Sequence, residues 1–376
     1  MSLFTKKQTN GEKKEIVTVH HLILLDESGS MSHATAQTIS GCNETLGTIR
    51  QMQNDNKESQ RHFVSIYAFD TDLRLSRYII EDKAIEKVKD VTDKDYHPCG
   101  TTPLYDAVGL TLTNLSAKLK KGKSMGYVTI ITDGYENNSK EYTLLKVKAI
   151  IEELKASNVI FSFIGANIDA AEYGMNFGIV NTMQFTTDEA GMKEMWENER
   201  RSKLRSSRKM RFYTEESHCS RKTVEDFGAC ENAGVFYEEF RTDKEAVPDM
   251  ITSLAPNEVF VFGSNKQGLH TGGAAGYAHE HFGAVIGQAE GMQGQSYAIP
   301  TVGVSQWEIE QAVMTFIDYA RQHPEKTFLV TMIGCGHAGL QVSQIAPFFY
   351  SATDCKNIRL PKAFIRYLNG ESIFEA

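Results

Sequence analysis

Short, almost wholly apolar runs alternate with segments of helical period along most of this chain. That alternation restricts it to α/β architectures built on a largely parallel sheet. His21-Leu22-Ile23-Leu24-Leu25 is a buried strand, followed by a polar turn and a helix over about 34–52. Residues 63–69 form a second strand, and 73–80 a third beyond the turn Asp70-Thr71-Asp72. Val108, Leu112, Leu115 and Leu119 share one helix face, 127–131 is a strand, 144–154 a helix and 159–164 another strand. The pattern resumes with a strand at 258–262, a helix from about Ala274 and a strand at 296–299. Ser305-Gln306-Trp307-Glu308 is a capping box opening a helix that stops near His323-Pro324, and 327–333 is a strong strand.

The chain has 376 residues, which suggests two or three domains at about 150 residues each. The alternation breaks between the two series, so the expected division is 1–213, a connector 214–256, and 257–376. Residues 195–213 carry Arg200, Arg201, Lys203, Arg205, Arg208, Lys209 and Arg211, which read as a solvated helix closing the first domain. With 40 Lys+Arg against 48 Asp+Glu the formal charge is −8, which excludes a generally basic nucleic-acid wrapper, and no nucleic-acid partner is expected. No apolar run approaches the roughly 18 residues of a membrane span, so no membrane partner is expected. Met1 to Glu15 is polar and lysine-bearing, unlike a secretory leader. Six scattered cysteines without a CxxC pair read as reduced thiols, so the expected location is cytoplasmic. Cys219 and Cys230 with His218 lack zinc spacing.

The first strand runs into Asp26-Glu27-Ser28-Gly29-Ser30-Met31-Ser32. A carboxylate and two hydroxyls at i, i+2 and i+4 can turn toward one centre, and such hard oxygen ligands suit Mg²⁺ or Mn²⁺. Gly100-Thr101-Thr102-Pro103-Leu104-Tyr105-Asp106-Ala107 sets hydroxyls just before a helix, and Thr132-Asp133-Gly134 ends a strand. Parallel strands deliver their C-termini to one edge, so Asp26 and Asp133 should meet there. In this order the three segments resemble the von Willebrand factor type A (vWA) domain and its metal-ion-dependent adhesion site, over about 17–211. The resemblance implies a doubly wound, Rossmann-like sheet, with Asp26, Ser28, Ser30, Thr102 and Asp133 as metal ligands. It also implies an open coordination position taken by a carboxylate of a protein partner, hence binding rather than hydrolysis. Cys99-Gly100-Thr101-Thr102 departs from the family's two glycines before the threonine. Glu27 and Glu136 are the nearby acids that chemistry would need as bases, although acids beside a cation site more often tune its charge, and Gly165-Ala166-Asn167-Ile168-Asp169 follows a strand to the same edge, where it could line the site.

In the second series, Phe262-Gly263-Ser264-Asn265-Lys266-Gln267-Gly268-Leu269-His270-Thr271-Gly272-Gly273-Ala274 joins a strand to a helix through a glycine-rich loop. Met332-Ile333-Gly334-Cys335-Gly336-His337-Ala338-Gly339-Leu340 is a second such junction. Exposed backbone N–H groups at a helix start cradle anions, although neither GxGxxG nor a Walker loop is present. The segments resemble the macro domain class, and more closely a small family of phage and bacterial proteins sharing Phe-Gly-Ser-Asn, Ser-Tyr-Ala-Ile-Pro-Thr and Ile-Gly-Cys-Gly. That implies a smaller α/β/α domain of phage or bacterial origin, binding ADP-ribose or a related NAD-derived nucleotide. Gly263, Ser264, Asn265, Gly272, Gly273, Ala274, Gly334, Cys335, Gly336, His337, Ala338 and Gly339 would line the pocket. Asn265 is either a ribose- or water-orienting group or a turn residue, and His270 a phosphate contact or acid/base. These two are the catalytic candidates if the domain hydrolyses ADP-ribosyl bonds; a non-catalytic scaffold is the remaining alternative. Cys335 with His337 suggests a thiolate–imidazole pair, against a packed cysteine. His279 and His281, on the helix after the loop, read as surface or satisfied residues.

Overall fold

The computed structural model describes residues 16–119, 123–214, 224–241, 245–248, 250–352 and 355–371. The N-terminal segment 1–15 and the Cys219/His218 pair lie outside them. The chain divides into two compact units, Met1–Lys193 and Glu194–Ala376. No helix among the described residues is long and apolar enough to cross a membrane.

The first unit contains β1 (Val17–Asp26), α1 (Thr35–Asp55), β2 (Gln60–Phe69), β3 (Arg77–Ala84), α2 (Leu104–Ser116), β4 (Ser124–Thr132), α3 (Leu144–Lys155), β5 (Val159–Ala166), α4 (Ala170–Phe177) and β6 (Thr182–Phe185). Its sheet runs β3-β2-β1-β4-β5-β6 and is parallel except for β3, confirming the doubly wound α/β reading. β1, β4 and β5 are almost wholly buried because helices cover both faces, which is why they read as continuous apolar runs rather than alternations. Val108, Leu112 and Leu115 pack with Val147, Ile151, Leu24, Val128, Ile130 and Phe163 in one cluster. Helix starts follow local chemistry: Thr143 accepts from the Lys146 N–H and Asp169 from the Glu172 N–H. The expected third strand begins four residues late. The Ser76 hydroxyl donates to the carbonyls of Asp70 and Asp72, extending the turn and leaving Leu75 exposed.

α5 (Glu189–Thr214) begins in the first unit, but from Glu194 onward belongs to the second. The second unit then adds α6 (Val224–Cys230), β7 (Glu258–Asn265), α7 (Gly273–His281), β8 (Gly291–Gln293), β9 (Ser296–Val302), α8 (Gln306–Gln322), β10 (Thr327–Val330), α9 (Val342–Ile345), β11 (Ile358–Arg359) and α10 (Lys362–Leu368). The sheet order is β11-β10-β7-β9-β8, with only β8 antiparallel. The capping box of Ser305 and Glu308 opens α8 as expected. β10 ends three residues short of the expected strand, because Ile333 N–H turns back to the Thr331 carbonyl and Gly334 takes φ +74°.

The basic helix corrects the sequence reading. α5 is not solvated: Lys203 and Arg205 are buried along with Ser202, Ser206 and Ser207. Lys203 pairs with Glu199, Lys209 with Glu231 at 2.8 Å, Arg205 donates to the Phe236 carbonyl and Arg208 to that of Tyr367. The units therefore divide at Lys193, ahead of the boundary drawn at 213. Residues 224–241 also pack into the second unit, burying Phe227 and Phe236, and Arg241 donates to the carbonyls of Ala352 and Cys355.

Candidate functional site

In the first unit the chain leaves β1 for β2 and β3 on one side, then returns to β4 on the other. The reversal lies between β1 and β4, the place where parallel sheets open a crevice for ligands. Asp26 is the last residue of β1, and Asp133 follows the last residue of β4. Asp26 Oδ1 accepts from the Ser28 N–H at 2.8 Å, which curls the turn around the carboxylate. The hydroxyls of Ser28 and Ser30 are 3.1 Å apart, and Ser30 donates to Asp133 Oδ1 at 2.6 Å. The Thr102 N–H donates to Asn137 Oδ1 and the Thr102 carbonyl accepts from the Asn137 N–H. That exchange pins Thr102 beside the β4 loop, where its Oγ1 would lie 3.5 Å from a Cβ at Gly134. The structure thus gathers all five residues expected to hold a metal.

The electrostatics fit a hard cation. Burial pushes Asp26 up to about 6; hydrogen bonds from Thr132 and Ser28 oppose the rise, and the charge of Asp133 adds to it. Asp133 Oδ2 is buried and has no hydrogen-bond partner. A buried carboxylate oxygen in that state is costly unless something positive meets it. Among the described residues no group of three or more His, Cys, Asp or Glu side chains could hold a metal, so this site has two carboxylates with hydroxyls. That donor set suits Mg²⁺ or Mn²⁺ rather than a thiolate-loving ion.

Sequence reasoning missed Tyr96 and the supporting contacts of the other residues around the site. Thr132 donates to Asp26 Oδ2 at 2.5 Å, and the buried Tyr96 hydroxyl donates to the Asp26 carbonyl at 2.6 Å. Glu27 takes both Arg77 nitrogens, at 2.6 and 3.0 Å, and the His97 N–H, anchoring the loop that leads to Thr102. Glu136 accepts from the N–H groups of Tyr105, Asn138 and Ser139 and from the Ser139 hydroxyl. Asp106 holds three consecutive N–H groups, at residues 140–142. Both acids considered as bases are therefore engaged in shaping loops. Of the β5 loop, Asp169 caps α4, while Asn167 is exposed at φ +55°.

In the second unit the chain passes from β7 to β9 on one side and to β10 on the other. Its reversal lies between β7 and β10, where both glycine-rich loops emerge. A Cβ at Gly263 would come within 3.4 Å of the Gly334 nitrogen, so the two junctions touch. Gly272, Gly273, Gly336 and Gly339 have open space where a Cβ would project. Ser264 is buried, with its hydroxyl donating to the Ala289 carbonyl; Ala274 and Ala338 are partly exposed. Asn265 Oδ1 accepts from the N–H groups of Gln267 and Leu269, the turn role. His270 is 3% exposed at φ +48°, with Nε2 on the Gln288 carbonyl at 3.0 Å and Nδ1 lacking a hydrogen-bond partner. Burial pushes the Cys335 thiol up, away from thiolate, while His337 is exposed, and no hydrogen bond joins the two. His279 bonds the Ala284 carbonyl and His281 packs on Tyr277.

No family model and no curated protein matches the chain. Among solved structures, proximal thread matrix protein 1 from the mussel byssus is 13% identical, with a TM-score of 0.32, over 50% of this chain and 46% of that one. The SpRpn10 VWA domain is 11% identical with a TM-score of 0.34, over 49% and 95% respectively. The pilus adhesin SpaC from Lactobacillus rhamnosus GG is 11% identical with a TM-score of 0.39, over 52% and 30%. The chain thus spans less than half the length of the mussel protein in the first match. That protein has also been solved with a zinc-occupied MIDAS motif. These likenesses are distant, and the functional reading rests on the side chains described above.

Proposed function

We propose that the first unit is a vWA-like binding module that captures a carboxylate of a protein partner through a divalent cation. Asp26, Ser28, Ser30, Thr102 and Asp133 would hold Mg²⁺ or Mn²⁺, and the bound ion supplies the positive centre that a partner's carboxylate meets. The observation that carries this reading is the buried, unpartnered Oδ2 of Asp133, whose Oδ1 takes the Ser30 hydroxyl in the turn that begins at the second carboxylate, Asp26. Two carboxylates match the charge of one divalent ion, so a third from outside meets no surplus of negative charge. Binding is favoured over hydrolysis because Glu27 and Glu136 are committed to loop hydrogen bonds. Partner capture in Mg²⁺ should be lost in EDTA and in Asp26→Ala, with circular dichroism unchanged. Capture that survives both treatments would overturn the metal bridge.

A second reading concerns the other unit, and the touching glycine loops at the β7/β10 reversal favour it. Open backbone at Gly272 and Gly273, where α7 starts, and at Gly336 and Gly339 in the second loop suits a phosphate-bearing ligand of the ADP-ribose type, as in a macro-like domain. Asn265 serves its own loop, and His270 is buried with Nε2 on the Gln288 carbonyl, which supports binding over turnover. Titration calorimetry with ADP-ribose should show saturable heat; none at millimolar ligand would refute it.

A further inference from the structure

We infer that Tyr135 selects the partner: the captured acidic residue has an aromatic or large aliphatic neighbour in sequence, whose side chain packs on the Tyr135 ring. This rests on the metal-bridge reading and adds to it the chemistry of the recognised segment. Tyr135 is 56% exposed and stands two residues beyond Asp133. Two residues span at most about 7 Å, a distance that one backbone step of about 3.5 Å along a bound peptide covers once the length of a large side chain is added. A peptide whose carboxylate meets the ion therefore presents its adjacent side chain at this ring.

The ring is held in place before any partner arrives. It meets Tyr173 edge-on, with centroids 5.5 Å apart at 79°. The Tyr173 hydroxyl in turn accepts from the Glu136 N–H at 2.9 Å, and the Glu136 carboxylate is fixed by the start of α2 and by Ser139. An exposed aromatic already fixed by its neighbours loses little side-chain freedom on binding, the property of interface anchors. Nearby charges would not favour a polar neighbour instead, since Glu27 is paired with Arg77 and the Asp106 carboxylate is filled by backbone N–H groups.

The test uses the full chain with Mn²⁺ and three capped tetrapeptides: Gly-Asp-Phe-Gly, Gly-Phe-Asp-Gly and Gly-Asp-Gly-Gly. The better phenylalanine peptide should bind roughly tenfold tighter than the all-glycine one. Tyr135→Ala should erase that difference, Tyr135→Phe should keep it, and all three proteins should bind Mn²⁺ alike. Equal binding of the peptides by wild type, or a preference that persists in Tyr135→Ala, overturns the role of Tyr135 while leaving the metal bridge standing. Mn²⁺ binding without measurable affinity for any peptide overturns both.

Discussion

Asp133→Ala should abolish the rise in melting temperature that Mn²⁺ gives the wild-type protein. A ligand at about 100 times its Kd stabilises by about 2.7 kcal/mol, which for a unit of this size corresponds to roughly 5–10 °C. The variant loses the unpartnered Oδ2 and the acceptor of the Ser30 hydroxyl together. Asp26→Asn should also lose the response, but its metal-free form should be more stable than wild type at pH 7. Burial raises Asp26 from 3.8 to about 6, so the unfolded chain ionises first as pH climbs. Metal-free wild type therefore loses stability between about pH 4 and 6, by at most about 3 kcal/mol, and carries the full cost above that window. Asparagine escapes that cost. Differential scanning fluorimetry from pH 4 to 8, in EDTA and in Mn²⁺, separates these effects. A wild-type melting temperature indifferent to Mn²⁺, or an Asp133→Ala protein that keeps the shift, defeats the metal assignment.

That the residues proposed as metal ligands lie near one another was legible in sequence because topology does the gathering. Once β1 and β4 are adjacent parallel strands, the residues at their C-terminal ends must meet, whatever lies between them. The side chains that hold those ligands were not legible. Tyr96 and Thr132 act through single hydrogen bonds to Asp26, and no periodicity marks a residue that bonds 70 or 106 positions away. Asp106 and Glu136 belong to the same category, since their role is to satisfy the backbone of loops whose path the sequence does not reveal. For the glycine loops, the strand-to-loop junctions were visible, but the turn role of Asn265 became clear only from the two N–H groups it accepts. The basic helix failed for a different reason. Its charges drew attention away from Met192, Met195 and Trp196, which recur at helical spacing and are buried, and with residues 202–207 buried without a break no single apolar face marks the rest of the helix.

That misreading yields the second large effect. If α5 is packed as described, Lys203→Met should destabilise the second unit by about 3–5 kcal/mol, because it removes the cation paired with a buried carboxylate. Glu199 is 1% exposed, paired with Lys203 and bonded by the Tyr237 hydroxyl at 2.8 Å. Removing the cation takes away the ammonium partner of that charge, while the Tyr237 hydroxyl is a neutral donor. The double variant Lys203→Met, Glu199→Leu should recover most of the loss, since a buried ion pair and an apolar pair of similar volume differ little in stability. Arg211→Ala, at an exposed position on the same helix, should change stability by no more than about 0.5 kcal/mol. Trp196 is buried on α5 while Trp307, the only other tryptophan, is exposed. In a Trp307→Phe background, Trp196 fluorescence therefore follows the second unit through urea unfolding. A solvated helix would give Lys203→Met the small effect of Arg211→Ala, and the double variant would then show no recovery because there would be no loss to recover. The contrast between single and double variants also separates the ion pair from the lysine's packed methylenes, because methionine replaces most of that volume.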